Sequence, residues 1–315
     1  KKTTDMYVVG EELPAVFGNS APKGNYADMR TDGWEASLSW RDSHKVAGKT
    51  LSYNIKVAVW DNTSKITRYT AKTGTLPTNY SINYYEGMTL GEMWGYKCDG
   101  LFQSDEEAQT WANYSKFTNR SATWQAGDPR YLDLNGDNIV NGGKGTLDDP
   151  GDRRVIGNSS PRYQYGASLN FSWYGFDVSV FMQGIGRLDW YPGADNLRFW
   201  GPYCRPYATF VPKNFMSQVW SEENPDAYFP RARAYTSLNS NSGTAYYTND
   251  RYLQNLAYCR LKNLTIGYTI PRRLTSKVGI KECRVYFSGE NLATWSALKN
   301  DFLDPEQAAA NSDKK

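Results

Sequence analysis

Histidine is almost missing: the 315 residues contain one, His44. It stands in Arg41-Asp42-Ser43-His44-Lys45, which reads as a turn, so a solvated loop histidine is favoured over a catalytic one there. Hydrolysis of the Ser-His-Asp kind is therefore poorly supported. Cysteine is scarce too. Cys98, Cys204, Cys259 and Cys283 form no CxxC pair, which argues against a structural zinc site. Four cysteines allow three pairings, and the sequence does not choose among them. Cys283 opens an alternating run and reads as a small apolar strand residue. Neither sign of charge is in excess, with 36 basic and 33 acidic residues interspersed, so no basic patch points to nucleic acid. No stretch approaches the roughly 18 uninterrupted apolar residues of a membrane-spanning helix. No signal peptide opens the chain, and Ala308 to Lys315 completes no structural element. The expectation is a piece of a larger protein.

What the chain does have is alternation. Tyr163, Tyr165, Ala167, Leu169, Phe171 and Trp173 fall on one face of a strand, with Gln164, Gly166, Ser168, Asn170 and Ser172 on the other. After Tyr174-Gly175 the pattern resumes from Phe176 to Gln183, which predicts a hairpin with a two-residue turn. A run of about ten residues with aromatics at both ends has the length of a tilted membrane-crossing strand. Further strands are expected over Trp34 to Trp40, Leu51 to Val59, Tyr258 to Ile270 and Cys283 to Gly289. Only helices and closed barrels satisfy the backbone in lipid, so a membrane reading here means a β-barrel. The mean hydropathy of −0.68 fits one, because alternate strand residues would face a wet lumen. Lys56 fits a lumenal position; on the lipid face near midplane it would cost about 2–4 kcal/mol.

Connection lengths agree with this. Strands near 40 and 51 are expected to join through about ten residues, and Ile270 to Cys283 through a short basic turn. By contrast, 61–161 and 184–257 read as long loops, and short connections alternating with long ones match periplasmic turns and extracellular loops. Structureless connections of that length are unusual in a compact soluble domain. Within the long loops, Asp105 to Phe117 predicts a helix with Ser104 as N-cap, and Phe210 to Trp220 another, stopped near Pro225. Trp190, Tyr191, Phe199, Trp200 and Tyr203 either stack on a ligand or pack one loop against another. Trp190, Tyr191, Trp200 and Tyr203 are the ligand-contact candidates.

The sharpest local motif is Asp133-Leu134-Asn135-Gly136-Asp137-Asn138-Ile139-Val140. Asp133, Asn135 and Asp137 occupy positions 1, 3 and 5 of an EF-hand-type loop, and the Ile139 carbonyl occupies 7. Position 6 is Asn138 in place of Gly, tolerable because Asn accepts left-handed backbone geometry. Position 12 is Lys144 in place of Glu, so the missing carboxylate would come from Asp148, Asp149 or Asp152. A structural calcium ion is one reading; an Asp/Asn/Gly turn without metal is the other.

Several blocks taken together resemble the late-barrel region of SusC-like (SusC/RagA family) TonB-dependent outer-membrane transporters. They are Tyr131 to Asp137, Asp152-Arg153-Arg154-Val155-Ile156-Gly157-Asn158, Pro161-Arg162-Tyr163, Gly175-Phe176-Asp177 and Phe181-Met182-Gln183-Gly184. Glu92-Met93-Trp94-Gly95-Tyr96, Thr31-Asp32-Gly33-Trp34-Glu35, Tyr258 to Tyr268 and Arg284 to Leu292 follow the same order. The resemblance implies an all-β fold: the C-terminal part, 1–315, of an antiparallel transmembrane β-barrel of about 22 strands. Its plug domain and closing strand would lie outside this chain. It implies outer-membrane import of oligosaccharides, or in some members oligopeptides, energised by the TonB complex through the plug. A SusD-like surface lipoprotein would be the partner, and no bond in the substrate would be broken. Two other readings compete. A soluble extracellular β-sandwich with a sugar platform would have shorter strands, about 5–6 residues. A glycoside hydrolase would need carboxylates about 5–9.5 Å apart, and no local motif supports it.

Overall fold

The computed structural model describes all residues except 11–15, 17, 19–21, 71–74, 78–82, 116–122, 206, 208–210, 234–236, 239–242, 300–302 and 309–315. Its framework is one antiparallel sheet of seven strands in sequence order. These are β1 (Lys2–Val9), β2 (Lys23–Val46), β3 (Lys49–Tyr69), β4 (Arg162–Trp173), β5 (Phe176–Arg187), β6 (Tyr258–Thr269) and β7 (Arg284–Ser296). Each strand pairs with its neighbour in the chain, and among the described residues β1 and β7 each leave one edge unpaired, so the sheet is open. Strands of 12 to 24 residues in β2 to β7 exceed what a sandwich uses, and they lie in one sheet instead of two facing ones.

The ladder explains the alternation in the sequence. Leu51, Trp173, Phe176, Tyr268 and Val285 lie side by side across β3 to β7; so do Tyr53, Phe171, Val178, Ile266 and Phe287. Above them run Ile55, Leu169, Val180 and Leu264, then Val57, Ala167, Met182 and Leu261, then Val59, Tyr165, Gly184 and Cys259. Partners across an antiparallel ladder share a face, so these five rows make one continuous apolar band. The opposite face carries Asn54, Asn170, Ser179, Thr265 and Ser288 in one row, and Lys56, Ser168, Phe181, Asn263 and Glu290 in the next. Lys56 thus lies on the polar side, where the pattern placed it.

Burial is inverted relative to an ordinary domain. Leu38, Trp40, Val57, Ile266, Phe287 and Trp295 of the apolar face are exposed, Leu38 at 70%. A contiguous apolar surface of this kind marks an interaction face, not a solvated one. Apart from Tyr258 of β6, the buried aromatics among the described residues belong to the connections: Phe199, Trp200, Tyr203, Phe229 and Tyr252 form one core, and Tyr96, Phe102, Trp124 and Tyr131 another.

Short and long connections separate to opposite rims. Ala47-Gly48, at φ of 51° and 73°, turns β2 into β3; Tyr174-Gly175, at 54° and 87°, turns β4 into β5. These left-handed pairs match the strand twist of a two-residue hairpin. The expected ten-residue link near 40–51 is thereby corrected to two residues. His44 lies within β2 and not in a turn, because β2 and β3 stay in register from His44↔Leu51 to Val46↔Lys49. Residues 70–161 and 188–257 leave from the other rim.

The long connections fold onto themselves. Helix α1 (Asp105–Ser115) starts at the Ser104 cap: the Glu107 amide donates to Ser104 Oγ at 3.1 Å, and the Glu107 carboxylate reaches back one residue further to accept the Gln103 amide at 2.8 Å. The Lys116–Phe117 end of the expected helix lies outside the described residues. The helix expected over Phe210 to Trp220 is corrected. Phe210 lies outside the described residues, Met216–Gln218 makes a single 3₁₀ turn, and Val219–Trp220 pairs in parallel with Phe229–Arg231. Val219 and Trp220 are buried, so strand pairing and packing override the helical spacing.

Candidate functional site

A cleft of about 500 Å³ opens at the long-loop rim. One wall is the segment 84–94, which is tied to the upper part of β3: the Ile66 amide donates to the Met88 carbonyl at 2.9 Å, and the Leu90 amide to the Ser64 carbonyl at 2.8 Å. The other wall is Trp190 and Tyr191, held where Asp189–Trp190 pairs with Gln254–Asn255. Tyr84, Trp94, Trp190 and Tyr191 supply aromatic surface; Glu92, Ser159 and Ser160 supply polar groups.

Glu92 is held in place by its neighbours. It accepts from the Tyr85 hydroxyl and, at 2.8 Å, from the Thr89 amide; Trp94 Nε1 donates to Tyr85 Oη at 3.3 Å. Burial, and then the bond to Glu92, push the Tyr85 phenol well above its ordinary range, so it stays a neutral donor. Gly91, at φ 89°, brings the floor together. A Cβ there would stand 2.5 Å from Ser160 Oγ and 2.6 Å from Asn158 Oδ1. The arrangement offers aromatic faces with one fixed carboxylate and two hydroxyls. That suits recognition of a polar ligand with apolar faces.

Of the four expected ligand contacts, Trp190 and Tyr191 line this cleft. Trp200 and Tyr203 do not. They are 1% and 2% exposed, and both pack on Phe229. Trp200 Nε1 donates to the Pro192 carbonyl at 3.2 Å and the Tyr203 hydroxyl to the Pro230 carbonyl, so their polar atoms are used inside the loop core. The expectation that they meet a ligand is corrected to packing. Tyr84, Met88, Trp94, Ser159 and Ser160 were missed; the aromatic density of 84–96 was the signal that could have found them.

The loop after Tyr131 is shaped by its own carboxylates. Asp133 Oδ1 and Oδ2 accept the amides of Gly136 at 2.6 Å and Asn138 at 2.8 Å, and Asp137 Oδ1 accepts the Ile139 amide at 2.8 Å. Asn138 takes φ 63°, as its place in the motif requires. Although burial would raise it, the loop amides hold the Asp133 carboxyl below the usual range. Asp152 is fully buried; its two oxygens accept the amides of Leu134 and Asn141, each at 2.8 Å. Asp148 is exposed. Among the described residues, no three His, Cys, Asp or Glu side chains gather as a metal site would need. The carboxylates of the expected donor set, Asp133, Asp137, Asp148 and Asp152, are therefore not gathered in a group of three; Asn135 and the Ile139 carbonyl are its other expected donors.

No family model matches the chain. It is 23% identical over 313 residues to TonB-dependent receptor P3 of Formosa agariphila, covering 97% of this chain and 28% of that protein. It is 24% identical over 312 residues to TonB-dependent receptor P26 of the same organism, again covering 97% and 28%. Among solved structures, its fold matches the RagAB peptide importer in the open-open state with TM-score 0.64 and 18% identity, over 97% of this chain and 29% of that one. A second structure of the RagAB peptide transporter matches with TM-score 0.62 at 18% identity. No helix of the described residues is long and apolar enough to cross a membrane, which says nothing of crossing by strands. Spanning a little over a quarter of their length, the chain is a relative of the TonB-dependent receptors, which are outer-membrane proteins.

Proposed function

We propose that this chain is the C-terminal barrel portion of an outer-membrane importer of oligosaccharides. The carrying observation is the apolar band opposite a polar face, five rows deep from β3 to β6 and continued into β7 by two of them, with short turns at one rim and long loops at the other. In the whole protein the open edges of β1 and β7 would pair with further strands to close a barrel of about 22, because unpaired edges are not tolerated in lipid. The band would face lipid, the polar face the lumen, and the loops 70–161 and 188–257 the exterior. A surface lipoprotein partner and energy transfer from TonB through a plug domain complete the reading. An oligopeptide is the second substrate reading, favoured by the fold shared with a peptide importer.

The cleft between Trp94 and Trp190 would then contact the substrate. Two proposals stand for the Asp133 loop: a metal-free turn, favoured because Asp133 and Asp137 accept loop amides, and a bound calcium ion, for which they would exchange those amides. The test is uptake of labelled oligosaccharides and oligopeptides by cells carrying the full-length receptor with its lipoprotein. Uptake of the sugar that falls on Trp94→Ala or Trp190→Ala supports the main reading. Peptide uptake alone replaces it with the second, and uptake of neither overturns both.

A further inference from the structure

We propose that the short-turn rim is a docking surface for the anionic headgroups of a glycerophospholipid leaflet. This inference rests on the reading of the apolar band as lipid-facing and adds a specific lipid chemistry to it.

The connection from β6 to β7 carries Arg272, Arg273, Lys277 and Lys281 against one acid, Glu282. All four cations are exposed, and among the described residues none of them joins an ion pair. Arginines of the strands are used differently: Arg162 holds Asp61, Arg260 holds Asp304, and Arg284 holds Asp177. Four cations outside the ion pairs thus share one short turn. Lys45 and Lys49 stand further along the same rim at the β2–β3 hairpin, beyond the Tyr174-Gly175 turn, where Lys49 Nζ lies 5.5 Å from the centroid of the Tyr174 ring.

The same turn exposes aliphatic side chains. Leu274, Val278 and Ile280 are 53%, 70% and 46% exposed. Its backbone is closed without them: the Leu274 amide donates to the Pro271 carbonyl at 2.9 Å, the Ile280 amide to the Thr275 carbonyl at 3.1 Å, and the Ile270 amide to the Cys283 carbonyl at 2.9 Å. Three exposed aliphatics among four free cations have no structural use in water. Directly beside them ends the apolar band, in the row Trp173, Phe176, Tyr268 and Val285. Aromatics of this row mark the level of a bilayer interface. At that level aliphatic side chains enter the acyl boundary, while ammonium and guanidinium groups on long stems reach the phosphates. Continuity with the band distinguishes this patch from a nucleic-acid or acidic-protein site, which would not use the aliphatic groups.

The test uses the full-length receptor in detergent with phosphatidylglycerol or phosphatidylcholine, and native mass spectrometry to count retained lipid. The wild type should retain phosphatidylglycerol in preference. The triple variant Arg272→Gln, Arg273→Gln, Lys277→Gln should weaken that retention on the order of a hundredfold at low salt, with little change for phosphatidylcholine. A Leu274→Ser, Val278→Ser variant should lower retention of both lipids. Equal retention of the two lipids by the wild type, or an unchanged triple variant, overturns the proposal. Competition by millimolar inorganic phosphate also overturns it, since it would indicate a phosphate site and not a leaflet surface. Insertion into phosphatidylcholine vesicles separates the two levels. A receptor that inserts without preferring the anionic lipid sinks this inference alone, whereas one that never inserts sinks the barrel reading beneath it.

Discussion

Asp61 and Arg162 form a two-pronged ion pair where the ladder between β3 and β4 ends. Arg162 Nε donates to Asp61 Oδ1 at 2.7 Å and Nη2 to Oδ2 at 2.6 Å. The Tyr163 amide adds a third bond to Oδ1 at 3.2 Å, and Asp61 is 5% exposed. The last paired residues are Trp60 and Gln164, so this carboxylate sits where the 70–161 connection rejoins the sheet. Asp61→Ala leaves a guanidinium and an amide without their acceptor, at a cost of about 2–4 kcal/mol. Limited proteolysis should cut 70–161 faster in the variant, while the band from Leu51 to Val59 keeps its protection. Equal cutting rates would show that the pair does not anchor the loop.

Gly91 decides whether the cleft closes. At φ 89°, a side chain is strained before any contact is counted, and its Cβ would also stand 2.9 Å from the Ser160 backbone nitrogen. The Ser160 hydroxyl donates to the Leu90 carbonyl at 2.9 Å and would have to let go. Gly91→Ala should abolish substrate binding at this rim while leaving expression and insertion intact. Binding that survives in a tryptophan-fluorescence titration would place the site elsewhere.

The strands were legible because a period of two over ten or more residues is a strong local signal. Phe171, Val178 and Ile266 each declare their face within their own strand, and the ladder merely aligns them. The lengths of β2 and β3 were not legible. Arg41, Ser43 and Lys45 look like turn residues unless the partner strand is known, and they face Asn54, Ser52 and Thr50. The site was half legible for a similar reason. Trp190 and Trp200 are equally aromatic, ten residues apart, yet one lines a cleft and the other is sealed under Phe229 and Tyr252. Burial within a loop depends on contacts from distant segments, which local composition does not carry. In the Asp133 loop the spacing predicts the turn, since carboxylates capping amides and carboxylates binding an ion demand the same sequence.

Trp200→Ala separates those two roles. Removing a fully buried indole costs about 3–5 kcal/mol through lost packing and a residual cavity. The variant should lose protease resistance across 188–257, and any loss of ligand affinity should follow that unfolding. Trp190→Ala should do the reverse, keeping the loop folded and weakening the ligand. If Trp200→Ala binds poorly with an intact loop, its assignment to packing is wrong.

Chelation tests the Asp133 loop directly. With Asp133 and Asp137 already accepting loop amides, removal of calcium should leave proteolysis of 131–152 unchanged, whereas Asp133→Ala, which strips two amides of their acceptor, should speed it. Faster cutting on chelation alone would instead assign the loop an ion.

Asp128 makes the loop core sensitive to pH. Burial raises its carboxyl to about 6, although Arg233, the Gln125 amide and the Thr244 hydroxyl all pull the other way. The Arg233 contact is 2.7 Å, the amide 2.9 Å and the hydroxyl 2.8 Å. An unfolded aspartate titrates near 3.9, so the folded loop holds this proton more tightly than the unfolded one does. The resulting stabilisation is complete below about 4 and is lost as pH rises through about 6. Protease resistance of the segments joined there, 124–131 and 233–245, should therefore fall from pH 4 to pH 7, with opening rates rising on the order of tenfold or more. Asp128→Asn removes the titration, so its profile should be flat across that window whatever its absolute level. A wild-type profile that is flat, or that rises with pH, would mean the ion pair with Arg233 outweighs burial.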